Sequence, residues 1–335
     1  MKQYRAPWWL PGGHAQTIWS ALYAKATPQV RPHFVRERWT TPDEDFIDVD
    51  FLKPIHAGAA SHVAGPLRPL LVLFHGLEGS SDSHYAQSFA HWAAHAEIDL
   101  AIPHFRGCSG EMNLAPRAYH SGDHVEIDWI LERLHQRHPL RPLVAVGVSL
   151  GGNALMRWAG EQGAVAAHKV KAVASICSPL DLAASGQAIG KGFNRQVYTR
   201  MFLRTMKPKA MAKWRQYPGL FDAKRLSAAA DLFEFDNVFT APVHGFVDTE
   251  DYWARASAKP HLQSIQIPAL ILNAQNDPFI PAHSLPTPSE VSRYVLLWQP
   301  TQGGHVGFPS GPPPGHLADL PQAVGGWLKE QLRHG

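Results

Sequence analysis

Cysteine is nearly absent from this chain: two residues, Cys108 and Cys177, in 335. That excludes a disulfide-stapled secreted fold and a cysteine-rich zinc site, and a reducing compartment is the simpler expectation. Long hydrophobic runs are also missing, with no stretch near the ~18 uncharged apolar residues a membrane span needs. The first twenty residues are interrupted by Arg5, Pro7, Pro11 and His14 and lack the apolar centre of a secretory leader. A cytoplasmic protein is therefore expected. Nor does one sign of charge dominate, since 31 basic residues face 28 acidic ones for a formal charge of +3. With no RNA or DNA motif beside that balance, nucleic acid is not an expected partner. What the chain does have is 45% hydrophobic and 18% charged residues, the composition of a globular protein with a substantial core.

Apolar runs of strand length recur at 46–52, 70–74, 100–103, 143–148, 170–176, 269–273 and 294–298. Several are continuously apolar, as parallel strands covered on both faces must be. Between them, 85–96, 125–137, 150–161 and 317–332 carry helical periodicity. The alternation predicts an α/β fold with a mostly parallel central sheet flanked by helices.

After Pro179 roughly ninety residues pass before the next buried strand, too many for a structureless loop in a compact domain. The expectation is one domain over 1–335 carrying a helical lid, or cap, at 181–258. Within that insertion Phe193, Val197 and Met201, with Tyr198 and Phe202, fall on one helical face. Residues 182–221 hold eight cations (Lys191, Arg195, Arg200, Arg204, Lys207, Lys209, Lys213, Arg215) and no acid. The rest of the chain therefore carries a formal charge of −5. Such a basic amphipathic segment is expected to be a lid with its charges in water, and it also allows peripheral contact with anionic lipid.

The run 143–148 leads straight into Gly147-Val148-Ser149-Leu150-Gly151, and a helical pattern follows. This is G-x-S-x-G in the strand–turn–helix context that lifts a serine hydroxyl out of the chain. The residues two before and two after the serine must be small because the turn crowds them. A hydroxyl needs a base, and the base needs an orienting acid. After the strand at 269 comes Asn273-Ala274-Gln275-Asn276-Asp277-Pro278, and after the last strand Gly303-Gly304-His305-Val306-Gly307. Asp277 and His305 thus follow Ser149 in the order serine, acid, histidine. His283 competes only weakly, since it precedes the last strand.

The developing oxyanion needs two backbone amides. Leu150, next to the nucleophile, supplies one, and Leu77 in His75-Gly76-Leu77-Glu78-Gly79 is the expected second. His75 is read as a residue that orients its loop. His91 and His95 sit one helical turn apart but lack the glutamate and third ligand of a metal site, so no metal is expected. No cofactor is expected either: the 186–192 stretch fails the phosphate-loop spacing, and the first strand–helix loop is not G-x-G-x-x-G.

With these residues in place, the chain resembles the YheT-like branch of the α/β-hydrolase superfamily, predicted hydrolases or carboxylesterases. The likeness is carried by Pro7-Trp8-Trp9-Leu10-Pro11 through Thr17, by 75–80, by Phe105-Arg106-Gly107 with Tyr119-His120-Ser121-Gly122, by Asp236, Thr240-Ala241-Pro242 and Gly245-Phe246, and by the Asp277 and His305 loops. Gly12-Gly13-His14-Ala15-Gln16 departs from the family's usual Asn-x-His-x-Gln, in what is expected to be a packing or entrance segment that leaves the triad untouched. The resemblance implies Ser149, Asp277 and His305 as catalytic triad and a small-molecule ester or acyl compound as substrate. The expected function is a serine carboxylic ester hydrolase working through an acyl-enzyme on Ser149. Acyl transfer, lipid or thioester hydrolysis on the same triad, and a non-enzymatic binding protein on this scaffold are the alternatives.

Overall fold

Runs such as Leu70–Phe74 and Leu143–Val148 bury every residue, so they can only lie inside a sheet covered on both faces. The computed structural model describes residues 4–24, 31–53 and 68–334, and in it these runs are central strands of one eight-stranded sheet. The strands are β1 (Phe34–Thr40), β2 (Phe46–Leu52), β3 (Leu70–Phe74), β4 (Asp99–Pro103), β5 (Leu143–Val148), β6 (Ala172–Ile176), β7 (Ala269–Leu272) and β8 (Val295–Trp298). Their spatial order is β1-β2-β4-β3-β5-β6-β7-β8. Pairings from β4 through β8 are parallel, while β1 with β2 and β2 with β4 are antiparallel. The expected mostly parallel α/β architecture is observed.

Helices α1 (Gly12–Leu22), α2 (His84–Ala96), α3 (His124–Arg137), α4 (Leu150–Gln162) and, at the end of the chain, α9 (Asp319–His334) surround this sheet. Two apolar layers fill the space between. One carries Phe74, Phe105, Ile130, Leu155 and Trp158 under α3 and α4. The other carries Phe89, Ile102, Val146, Leu270 and Val324 under α2 and α9.

Two elements carry no clear signal in the sequence. Strand β1 reads FVRERWT, mostly exposed, and it pairs along its whole length with β2 as an edge strand. Its Arg36 and Arg38 bind Asp50 and Asp48 of the neighbouring strand at 2.7 and 2.8 Å, so ion pairs replace the missing apolar pattern. Helix α1 begins with two glycines and has no capping side chain. Its signal lies in what it packs against.

Between β6 and β7 the chain leaves the sheet through α5 (Leu182–Ile189), α6 (Arg200–Gln216), α7 (Ala223–Ala228) and α8 (Thr249–Ala256). A wider π turn at Arg195–Thr199 precedes α6. Because that turn takes an extra residue per revolution, a 3.6-residue stripe cannot stay in register through it. This corrects the single apolar face read from the sequence. Tyr198 is buried, at 3% exposure, whereas Phe193 and Met201 are each 53% exposed. The basic residues divide as well. Lys209 and Lys213 turn inward, to Glu78 and to the carbonyls of Asn113 and Ala115, and the others stay outside.

The insertion is fastened at several points. Asn153 on α4 donates to the Ala256 carbonyl at 2.8 Å and accepts from the Ala258 amide at 2.9 Å. Lys209 reaches Glu78, beside Leu77, at 3.0 Å. Among the described residues no helix is long and apolar enough to cross a membrane.

Candidate active site

At the carboxyl end of β5 the chain reverses within one residue: Ser149 has φ 51° and ψ −118°, and α4 starts at Leu150. Non-glycine residues adopt such a conformation only where the surroundings enforce it. The crowding expected of the turn is present. A Cβ on Gly147 would lie 2.5 Å from the Gly151 carbonyl oxygen, and one on Gly151 would lie 2.5 Å from the His75 carbonyl oxygen.

The three residues singled out in the sequence meet at this elbow. His305 Nε2 lies 3.0 Å from Ser149 Oγ, and its Nδ1 lies 2.8 Å from Asp277 Oδ2. In the tautomer that satisfies both contacts, Nδ1–H donates to the carboxylate and Nε2 accepts the serine proton. Asp277 Oδ1 accepts from the Phe279 amide at 2.8 Å, and the Phe279 ring packs 4.2 Å from the imidazole. The carboxylate is thus fixed on both oxygens.

Leu77 and Leu150 line the same cleft as Ser149 and His305. Among the described residues neither of their amides has a hydrogen-bond partner, so both remain available to an oxygen of a bound molecule. Gly76 N–H is held by Tyr85 Oη at 2.8 Å and Glu78 N–H by Tyr119 Oη at 2.9 Å, which leaves Leu77 as the free amide of that turn. His75 is wholly buried. Its Nδ1–H donates to the Gly76 carbonyl, its Nε2 accepts from the Phe105 amide, and burial pushes its pKa down to about 3. It is a neutral loop brace. His283 is exposed and contacts neither Ser149 nor Asp277.

The histidine loop carries further supports that sequence reasoning missed. Gly303 N–H donates to Gln16 Oε1 at 2.9 Å, Gly304 N–H to Asn276 Oδ1 at 3.0 Å, and His305 N–H to Thr17 Oγ1 at 2.8 Å. The fourth is His84, whose Nε2 contacts the Val306 carbonyl at 3.2 Å; burial lowers its pKa to about 4, so it is a neutral donor. The expectation that the N-terminal segment leaves the triad untouched is therefore corrected. Helix α1 presents Gln16 and Thr17 directly to the backbone of the residues around His305.

Sγ of Cys177 lies close to Asp277 and His305, a grouping of metal-ligand type. Burial raises its thiol pKa well above the usual value, and it contacts the Gly304 carbonyl at 3.7 Å. A neutral thiol beside a carboxylate and an imidazole already bonded to each other makes a poor donor set for a metal ion. The geometry suits proton transfer instead.

The cleft between the sheet and the insertion is open to solvent and measures about 740 Å³. Ile189, Phe202, Met206, Leu232, Phe279 and Ile280 make its wall predominantly apolar. A second chamber of about 580 Å³ adjoins it at Leu77, Leu150 and Asp236 and contains Lys209 and Glu78. Asp236 accepts from Thr240 Oγ1 at 2.6 Å and Trp253 Nε1 at 3.0 Å, and burial pushes its pKa up to about 6.

Such an elbow on such a sheet defines a class, and the comparisons agree with it. Residues 69–312 match the family described as alpha/beta hydrolase fold. The putative esterase YheT of Escherichia coli is 36% identical over 300 residues, covering 89% of this chain and 84% of that protein. Human phospholipase ABHD3 is 26% identical over 330 residues, 98% of this chain and 78% of its own length. The monoacylglycerol lipase of Saccharomyces cerevisiae is 28% identical over 250 residues, 72% of this chain and 55% of its own. Among solved structures, Est1E from Butyrivibrio proteoclasticus superposes with a TM-score of 0.54 at 13% identity, over 91% of this chain and all of that one. This chain belongs to the α/β-hydrolase family, as one of its YheT-like members.

Proposed function

We propose that the chain is a serine hydrolase of carboxylic esters and that its preferred substrates carry an apolar acyl chain. The observation that carries this reading is the continuous hydrogen-bonded path from Ser149 through His305 to Asp277, opening onto an apolar cleft. In the first half-reaction Ser149 Oγ attacks the ester carbonyl carbon while its proton passes to His305 Nε2. Asp277 holds the imidazole and offsets its positive charge, and the Leu77 and Leu150 amides take the tetrahedral oxyanion. Collapse breaks the bond to the leaving alcohol, which receives the proton from His305. Water then attacks the acyl-enzyme by the same route, and the acid departs with Ser149 restored.

The apolar wall suits an acyl chain, and the adjoining chamber, whose lining includes Glu78 and Lys209, suits the alcohol part. The names of relatives that act on phospholipids and monoacylglycerols support a lipid-like ester. Hydrolysis of p-nitrophenyl esters from acetate to palmitate tests the reading. Ser149→Ala is expected to lose at least ~1,000-fold in kcat and all labelling by a fluorophosphonate. Turnover that survives in Ser149→Ala, or a folded wild-type protein that binds ligand without labelling, would refute it.

A further inference from the structure

We propose that the outer face of the helical run 192–216 is a docking surface for a bilayer containing anionic lipid. The evidence is the arrangement of its side chains. Arg195, Arg200, Arg204 and Lys207 line one shallow groove of about 890 Å³ on the surface of the insertion. Two carboxylates come near it: Asp231 lies 3.7 Å from Arg195, and Glu234 accepts from the amide of groove-lining Ala230 at 2.7 Å. Among the described residues no carboxylate pairs with Arg200, Arg204 or Lys207. Four cations thus share one surface, and among the described residues only Arg195 has a carboxylate within ion-pair distance.

Phe193 and Met201 belong to the same helical run, outside the groove's lining, and both are half exposed. An anionic polymer or free phosphate would use the arginines and leave these two side chains in water. A bilayer accommodates both kinds: headgroup phosphates take the guanidinium groups, and the ring and thioether enter the boundary with the acyl chains. Phe193 packs edge-on against His14 and Tyr198 yet keeps half its surface in solvent, and Met201 is exposed to the same degree. On the other side of the same helix Phe202 and Met206 line the catalytic cleft. A protein seated on lipid through this face thus brings the cleft wall to the interface where acyl chains are found.

The test uses the full chain and sucrose-loaded vesicles of phosphatidylcholine alone or with about 30 mol% phosphatidylglycerol. Sedimentation is expected to recover at least ~10-fold more protein with the anionic vesicles, and high salt is expected to release it. Arg200→Glu with Arg204→Glu should abolish that preference while hydrolysis of a soluble short-chain ester stays unchanged, which also reports that the variant is folded. Phe193→Ser with Met201→Ser should weaken binding without removing its dependence on charge. Equal binding to both vesicle types, or none to either, would overturn the proposal. So would anionic binding that is indifferent to the Phe193 and Met201 changes and is fully displaced by an oligonucleotide at matched phosphate concentration. The sedimentation readouts do not depend on Ser149, and a circular dichroism spectrum reports folding independently of turnover, so the ester reading can fail while this one stands, and the reverse.

Discussion

Ser149, Asp277 and His305 could be read from the sequence because each sits in a motif tied to one place in the topology, the loop just after a buried strand. Their supports could not. Gln16, Thr17, Asn276 and His84 are ordinary polar residues until the fold brings them against the backbone of 303–306. Thr17 is the most direct, because its hydroxyl accepts the amide hydrogen of His305 itself. Thr17→Val keeps the shape and leaves that amide without an acceptor, at a cost of about 1–3 kcal/mol. Part of it should appear as misplacement of the imidazole. The expected outcome is a kcat lowered about tenfold with KM little changed, since the substrate itself does not touch Thr17. A rise in KM at constant kcat would instead mean that α1 shapes the entrance.

At the scale of elements, the parallel strands were legible from their unbroken apolar character, and the edge strand β1 was hidden by its charges. What secures that edge is polar and buried. Asp45, between β1 and β2, accepts from the Phe46 and Leu114 amides, from Asn113 Nδ2 and from Arg106, four donors at 2.6–2.9 Å. Burial alone would raise its pKa, but these hydrogen bonds outweigh it and hold the carboxyl at about 2, against 3.8 unperturbed. A depressed carboxylate stabilises the fold above its unfolded pKa and loses that contribution as the pH falls through the folded one. The contribution is about 2 kcal/mol, in full above roughly pH 4 and gone below about pH 2. Asp45→Asn should therefore melt at lower temperature than wild type near neutrality, and the gap should narrow as the pH is lowered from 4 to 2. A gap that does not change with pH would mean that the loss comes from packing and not from charge.

For the whole molecule, the division into a sheet-bearing body and a basic insertion was visible in the charge distribution, but not the way the insertion folds back. A stripe of apolar residues at helical spacing reads as one face, and the π turn that splits it leaves no mark in composition. The split matters because the inward half builds the cleft. Phe202 contacts Phe279 across it, with ring centroids 6.3 Å apart. Phe202→Ala should lengthen the available space and move the preference among p-nitrophenyl esters toward longer chains. An increase of about tenfold in the decanoate-to-butyrate ratio of kcat/KM is expected, within the range that a few buried methylenes command. An unchanged ratio would place the acyl chain elsewhere, and the second chamber beyond Asp236 would then be its seat.

The contact between Thr17 and His305 joins residues separated by 288 positions in the chain. A bond across such a span cannot form early, since nearly all of the intervening polypeptide must find its place first. Most of the sheet and its covering helices can condense while the histidine loop is still slack. Competence for chemistry is then a late event, distinct from compactness, and it completes when two remote stretches of chain close on each other like a clasp. A protein heated or mildly denatured should accordingly lose turnover before it loses secondary structure.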